Sequence, residues 1–106
     1  MSIKFTILGC GSSLGVPRID GKFGKCDPRN YKNYRTRCSA LVSSSQRNIL
    51  IDTSPDIKLQ LLKSKIKNIN NVFYTHPHAD QTHGINEMRA FYIINKKKLP
   101  VYGDKT

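Results

Sequence analysis

Four short apolar runs constrain most strongly what this chain can fold into: residues 3–8, 40–42, 49–51 and 72–74. Runs of this length, rich in branched and aromatic side chains and bounded by polar residues, are typical of buried β-strands. Each run is far shorter than the roughly 20 apolar residues that a membrane-spanning helix needs. Since a chain of 106 residues supports one hydrophobic core, we expect one domain, or part of one, built on a sheet.

The segments between these runs predict helices that cover the sheet, and therefore a layered α/β architecture. Residues 15–37 are polar and basic and show no sustained period, which predicts a long surface excursion. The sequence predicts strands over residues 4–8, 38–43, 48–52, 70–74 and 99–102, a first helix over 53–66, and a second helix that begins after Asp80 and includes 87–92.

The first predicted helix begins at Thr53-Ser54-Pro55-Asp56. A hydroxyl can cap the helix, proline suits the first helical position, and an acidic residue faces the positive end of the helix dipole. One stripe of the helix should face the sheet while the opposite side faces solvent. The stripe comprises Ile57, Leu61, Leu62 and Ile66, and the solvent side comprises Lys58, Gln60, Lys63 and Lys65.

The composition is strongly basic, with 18 Lys and Arg against 7 Asp and Glu and a net charge of +11. Such a charge suits an anionic partner, either RNA or a phosphorylated small molecule. The alternative is a set of ordinary solvated lysines, because no aromatic RNA-binding motif accompanies them. The three cysteines are widely spaced, which predicts free thiols. Because the first residues lack the apolar core of a signal peptide, we expect a cytoplasmic protein.

All three histidines, His76, His78 and His83, follow one predicted buried strand closely. At a strand end the side chains of residues i and i+2 project to the same side, so His76 and His78 can direct their rings at one point, and Asp80 continues that spacing. Imidazole and carboxylate ligands suit zinc or a similar divalent metal. The alternative is a set of histidines with ordinary surface or core roles. The pattern favours a metal site.

The segment Thr75-His76-Pro77-His78-Ala79-Asp80, followed by Gly84, resembles the H-x-H-x-D-H-x-x-G motif of the metallo-β-lactamase superfamily. The glycine-rich turn in residues 7–13, the basic segment 35–40 and the acidic segment 49–56 also resemble that superfamily. The similar branch contains the phosphoribosyl cyclic phosphodiesterase and, more distantly, the tRNA 3′-processing endonuclease. This resemblance implies that residues 1–106 are the N-terminal portion of one such domain.

The fold that this resemblance implies is half of an αββα sandwich, in which a mixed sheet is covered by helices. The implied chemistry is hydrolysis by water that two metal ions, zinc or manganese, activate. His76 and His78 match ligands of the first metal, and Asp80 matches a ligand of the second and is the expected catalytic residue. Asp52 matches an acidic residue that supports the ligand loop. His83 is a further candidate ligand, with an orienting or surface role as the alternative.

Two departures from the family pattern limit this expectation. Gln81 stands where the family has histidine, and its amide is a poorer zinc ligand than imidazole. No histidine follows His83, so the downstream ligands of the family have no counterpart. We therefore expect a truncated fold with an incomplete dinuclear site and little activity of this chain alone.

A truncated fold should also expose apolar surface, which predicts a homo-oligomer or a pairing with a separately encoded C-terminal half. One alternative function is a non-catalytic remnant or interaction module, and another is one half of a split enzyme. A basic RNA-binding protein is a further alternative that rests on the charge.

Overall fold

The computed structural model describes residues 2–105, which form one mixed five-stranded sheet with the strand order β1-β2-β3-β4-β5. β1 pairs with β2, and β2 with β3, in antiparallel fashion, whereas β3 with β4 and β4 with β5 are parallel pairs. The predicted α/β class with a mixed sheet is therefore confirmed. The strands are β1 (Lys4–Gly9), β2 (Ser39–Ser43), β3 (Asn48–Ile51), β4 (Asn71–Phe73) and β5 (Val101–Tyr102).

Helices connect the parallel strands, because a parallel pair needs a crossover that returns the chain to the same end of the sheet. The helices are α1 (Ile57–Lys63), α2 (Ala79–Thr82) and α3 (Arg89–Asn95), with 3₁₀ turns at Tyr31–Asn33 and Ile85–Met88. The excursion predicted over residues 15–37 contains only the first of these turns and isolated bridges. No helix within residues 2–105 is both long and apolar enough to cross a membrane.

The hydrophobic core lies on one face of the sheet. Leu41, Leu50 and Val72 occupy neighbouring strands on this face and are fully buried. Burying a side chain of this size contributes on the order of 1.5–3 kcal/mol each to folding. The residues that complete the core are Ile57, Leu61, Ile69, Met88 and Phe91, which come from α1, α3 and the segments beside them.

The opposite face of the sheet is apolar and uncovered. Phe5 and Ile7 on the edge strand β1 are 61% and 67% exposed, and Phe73 on β4 and Tyr102 on the other edge strand, β5, are also exposed. Successive strand residues point to opposite faces, so the register assigns nine residues to this bare face: Phe5, Ile7, Ala40, Val42, Ile49, Ile51, Asn71, Phe73 and Tyr102. None of the nine is charged, although the chain carries a net charge of +11.

The first helix differs from its prediction in extent and in the face that it buries. α1 covers only Ile57–Lys63, and the predicted first residues Thr53 and Ser54 are instead buried, with side chains hydrogen-bonded to Tyr74 and to Gln60 respectively. Leu62, predicted to face the sheet, is 64% exposed, whereas Gln60, predicted to face solvent, is 4% exposed. Residues Ile57 and Leu61 are buried as predicted, and Ile66 packs against the core from beyond the helix end.

Gln60 is buried because its amide connects three segments. Its Nε2 donates to Thr36 Oγ1 and to the carbonyl oxygen of Arg37, both at 2.8 Å, and its Oε1 accepts from Ser54 Oγ at 2.7 Å. A buried amide that satisfies its donors and acceptor in this way avoids the penalty for unpaired polar groups. With the Gln60 amide buried, α1 turns a different face to the sheet from the one that its apolar stripe predicted, and Leu62 faces solvent.

The second predicted helix is interrupted. α2, a 3₁₀ turn and α3 follow one another, and the break falls at His83 and Gly84. Gly84 is buried, and a Cβ at this position would clash with the carbonyl oxygen of Ser54. The two backbone segments approach each other closely at Gly84, and α2 ends there. The sequence pattern predicts instead that the helix continues through this point.

We expect the purified chain to self-associate through the bare face as its concentration rises. An exposed apolar patch beyond a few hundred Å² is rare on monomers. Replacing Phe5 and Ile7 together by lysine should shift the chain to a monomer in analytical ultracentrifugation. The control is Leu59→Lys, which changes an exposed apolar residue on α1 and should leave association unchanged. A wild-type chain that stays monomeric at high concentration contradicts the prediction.

Candidate metal centre

The loop that follows β4 brings two histidine rings together. His76 and His78 lie on either side of Pro77, and both are exposed. Their ring centroids are 4.6 Å apart and the rings meet edge to face, at 81°. Pro77 limits the flexibility of the loop because its ring fixes φ. The two imidazoles are therefore held side by side at the surface.

Asp52 holds this loop from the end of β3. Its Oδ1 accepts a hydrogen bond from the backbone N–H of Thr75 and its Oδ2 accepts one from Thr75 Oγ1, both at 2.8 Å. Asp52 is buried and adopts a left-handed backbone conformation with a φ of 65°. Aspartate tolerates this region better than most residues. The turn aims the carboxylate at the start of the histidine loop.

The hydrogen bonds of Thr75 also assign the protonation of His76. An ionised carboxylate only accepts, so the single O–H of Thr75 is used toward Asp52. The same oxygen lies 2.9 Å from His76 Nδ1, and it must accept there. In the neutral imidazole, the form that binds metal, the proton is therefore on Nδ1 and Nε2 presents the lone pair. Sequence reasoning missed Thr75, whose hydroxyl beside a histidine is a signal that could have identified it.

Asp80 and Gln81 form a second pair, on α2. Gln81 is only 6% exposed, and its Nε2 donates to Asp80 Oδ2 at 3.1 Å. Gln81 Oε1 is buried and has no hydrogen-bond partner among the described residues. Burial and the neighbouring charge of Asp80 both raise the pKa of the Cys38 thiol.

His83 lies elsewhere. It follows α2 and lines a shallow depression with residues of the α1 region, among them Pro55 and Leu59. The depression beside His76 is lined by the residues around the β4 and β5 ends, and the two depressions share no residue. The structure therefore separates His83 from the paired imidazoles.

The described residues offer two adjacent imidazoles but no complete metal site. His76 and His78 are adjacent imidazoles, the ligand type that zinc and manganese accept. Across residues 2–105, no three His, Cys, Asp or Glu side chains form a group that could hold a metal ion. The loop thus offers two nitrogen ligands, while Asp80 is engaged by Gln81.

An ion pair that the sequence did not predict fixes the long excursion to α1. Arg37 donates to both carboxylate oxygens of Asp56, at 2.7 and 2.8 Å, and its backbone N–H adds a third bond at 2.9 Å. The hydrogen bonds from the Arg37 side chain hold the pKa of Asp56 below its ordinary value. The same pairing raises the pKa of Arg37. This pair orients the polypeptide that leads to Cys38 and β2.

Comparisons with known proteins identify similar chains. The family model described as "Beta-lactamase superfamily domain" matches residues 47–106. A diphosphatase from the PhnP family has a crystal structure to which this chain is 33% identical, with a TM-score of 0.85, covering 99% of this chain and 42% of the diphosphatase. Zinc-bound PqqB from Methylobacterium extorquens has the same fold, with 19% identity, a TM-score of 0.71 and coverage of 97% and 45%.

A protein described as an octanoyltransferase, from Porphyromonas gingivalis, is 34% identical over 104 residues, which are 97% of this chain and 21% of that protein. The chain therefore spans less than half the length of each of these similar proteins.

Acid should weaken the fold through Asp56. A carboxylate whose folded-state pKa is lowered stabilises the fold above its unfolded pKa and loses this contribution as the pH falls through the folded-state value. Asp56→Asn should therefore cost about 1–3 kcal/mol at neutral pH and reduce the loss of stability below pH 3.8, measured by urea unfolding across pH. Asp20→Asn, at an exposed ion pair, is the control and should change little. Equal effects of the two variants would contradict this assignment.

Proposed function

This chain belongs to the β-lactamase superfamily, and on that premise we propose that it is the metal-binding part of a hydrolase that acts on phosphate esters or anhydrides. The observation that carries the proposal is the pair of adjacent imidazoles, His76 and His78, with Nδ1 of His76 hydrogen-bonded to the Thr75 hydroxyl. The phosphate substrate class is supported by the 33% identity to a diphosphatase and by the net charge of +11, which attracts anions.

We assign one divalent ion, zinc or manganese, to His76 and His78. When bound, such an ion lowers the pKa of a coordinated water and stabilises charge on a phosphoryl oxygen. Asp52 and Thr75 hold His76 through a continuous chain of hydrogen bonds. Partners of this kind fix the orientation of a ligating imidazole and increase its basicity.

Asp80 is the residue to which we assign a proton-accepting role. Its carboxylate is partly exposed, and the hydrogen bond from Gln81 holds it in one orientation. A carboxylate that is positioned in this way can accept a proton from an attacking water. The role of Asp80 therefore does not require that it bind metal itself.

Two imidazoles are fewer ligands than a catalytic zinc site generally has, since three protein ligands are usual. We therefore propose that full activity needs a further ligand from polypeptide outside residues 1–106. This chain alone should hydrolyse a generic phosphodiester slowly or not at all. Rapid metal-dependent hydrolysis by the isolated chain that is lost in Asp80→Ala contradicts this expectation.

Metal binding by the histidine loop can be tested by equilibrium dialysis against zinc. The double variant His76→Ala, His78→Ala should lose the bound ion, because both of its nitrogen ligands are gone. His83→Ala is the matched control, since His83 lines a different depression, and it should bind as the wild type does. The assignment fails if the double variant retains wild-type affinity.

Thr75→Val should weaken metal binding by about 10- to 100-fold, the usual effect of removing a partner that orients a ligating histidine. Valine keeps the side-chain shape but cannot accept from His76 Nδ1 or donate to Asp52. Thr75→Ser keeps the hydroxyl and should preserve the affinity. Nitrogen NMR of the metal-free chain provides a separate measurement: the Nδ1–H form of His76 should predominate in wild type and in Thr75→Ser, and lose its preference in Thr75→Val.

A further inference from the structure

We infer, on the basis of the proposed function, that Gln81 limits this centre to one metal ion by holding Asp80 as a hydrogen-bonded carboxylate instead of a ligand to a second ion. This chain thereby departs from the two-metal pattern that its sequence resembles, because one end of the Gln81 amide faces Asp80.

The backbone of Gln81 is fixed on both sides, so the side chain has little freedom to move away. Its N–H donates to the carbonyl oxygen of His78 at 3.0 Å, and its own carbonyl accepts from the N–H of Thr53 at 2.7 Å. The hydroxyl of Thr53 approaches the same carbonyl at 3.3 Å. Gln81 is therefore anchored to the loop that carries Asp52, and its amide is buried at a defined position.

The amide can present only one end to Asp80. In the observed orientation Nε2 donates to Asp80 Oδ2, and Oε1 faces away without a partner in the described part of the chain. The reverse orientation would set Oε1 against a carboxylate oxygen, so that two acceptors would meet without a proton between them. Asp80 thus determines the orientation, even though an unpaired buried acceptor costs about 1–3 kcal/mol.

This orientation has a direct consequence for metal binding. To share an ion with Asp80, residue 81 would need to direct a lone pair toward the same side as the carboxylate. Gln81 directs an N–H there, and an N–H group cannot coordinate a cation. Its only lone-pair atom, Oε1, faces away from Asp80. In this orientation Asp80 and Gln81 do not present ligands to one shared ion, whereas His76 and His78 remain available.

Counting bound metal tests the inference. Wild-type chain, Gln81→His and Gln81→Leu are dialysed against zinc, and metal per chain is measured by mass spectrometry after circular dichroism confirms that each is folded. We expect one ion in wild type and two in Gln81→His, because imidazole supplies the missing lone pair beside Asp80. Gln81→Leu, a control of similar size that removes both ends of the amide, should keep one ion.

Each outcome separates the inference from the proposed function on which it rests. Two ions in wild type, or one ion in folded Gln81→His, overturn the inference and leave the histidine site intact. No ion in wild type overturns the proposed function itself. Electron paramagnetic resonance with manganese adds a test that needs no variant: excess manganese should give the spectrum of isolated ions in wild type, and a spin-coupled spectrum from ion pairs would contradict the single-metal centre.

Discussion

The carboxylate of Asp52 joins the end of β3 to the histidine loop, and the rest of the site depends on it. Both of its oxygens accept from Thr75, and the Thr75 hydroxyl in turn accepts from His76. A left-handed backbone at Asp52 aims the carboxylate at this position. The conformation is costly for most residues, and the two hydrogen bonds from Thr75 offset that cost.

The residues next to Asp52 connect the same loop to α2. The Thr53 N–H donates to the Gln81 carbonyl, and the Gly84 N–H donates to the Thr53 carbonyl at 3.0 Å. Thr53 is fully buried, so these backbone groups are satisfied by one another without water. The histidine loop and the Asp80–Gln81 pair are consequently fixed to one short segment, which sets the position of each relative to the other.

The sheet has two different roles. One face carries the core beneath the helices, and the edge at the ends of β3 and β4 carries the site. The other face is apolar and uncharged, with Phe5 and Ile7 largely exposed. Apolar surface of this extent favours a protein partner, and the proposed centre has fewer ligands than a catalytic site usually has. The proposed function accordingly includes further polypeptide, outside residues 1–106, that covers the bare face and completes the site.

The sequence by itself determined the strands, the α/β class, the family and the histidine pair. Short apolar runs predict strands, because a buried strand needs apolar side chains at alternate or at successive positions. The spacing of His76 and His78 also depends on local geometry alone, and the structure places their rings together. Strand ends differ from their predictions by a residue or two, which is the usual uncertainty of element boundaries.

Only the tertiary structure decided which polar side chains are buried and what they contact. Gln60 is predicted to face solvent, yet it is buried because the partners of its amide, Thr36 and Arg37, come from another segment. The pairing of Arg37 with Asp56 joins residues 19 positions apart. Local periodicity carries no information about such partners, since a hydrogen bond between distant segments exists only after the backbone has brought them together.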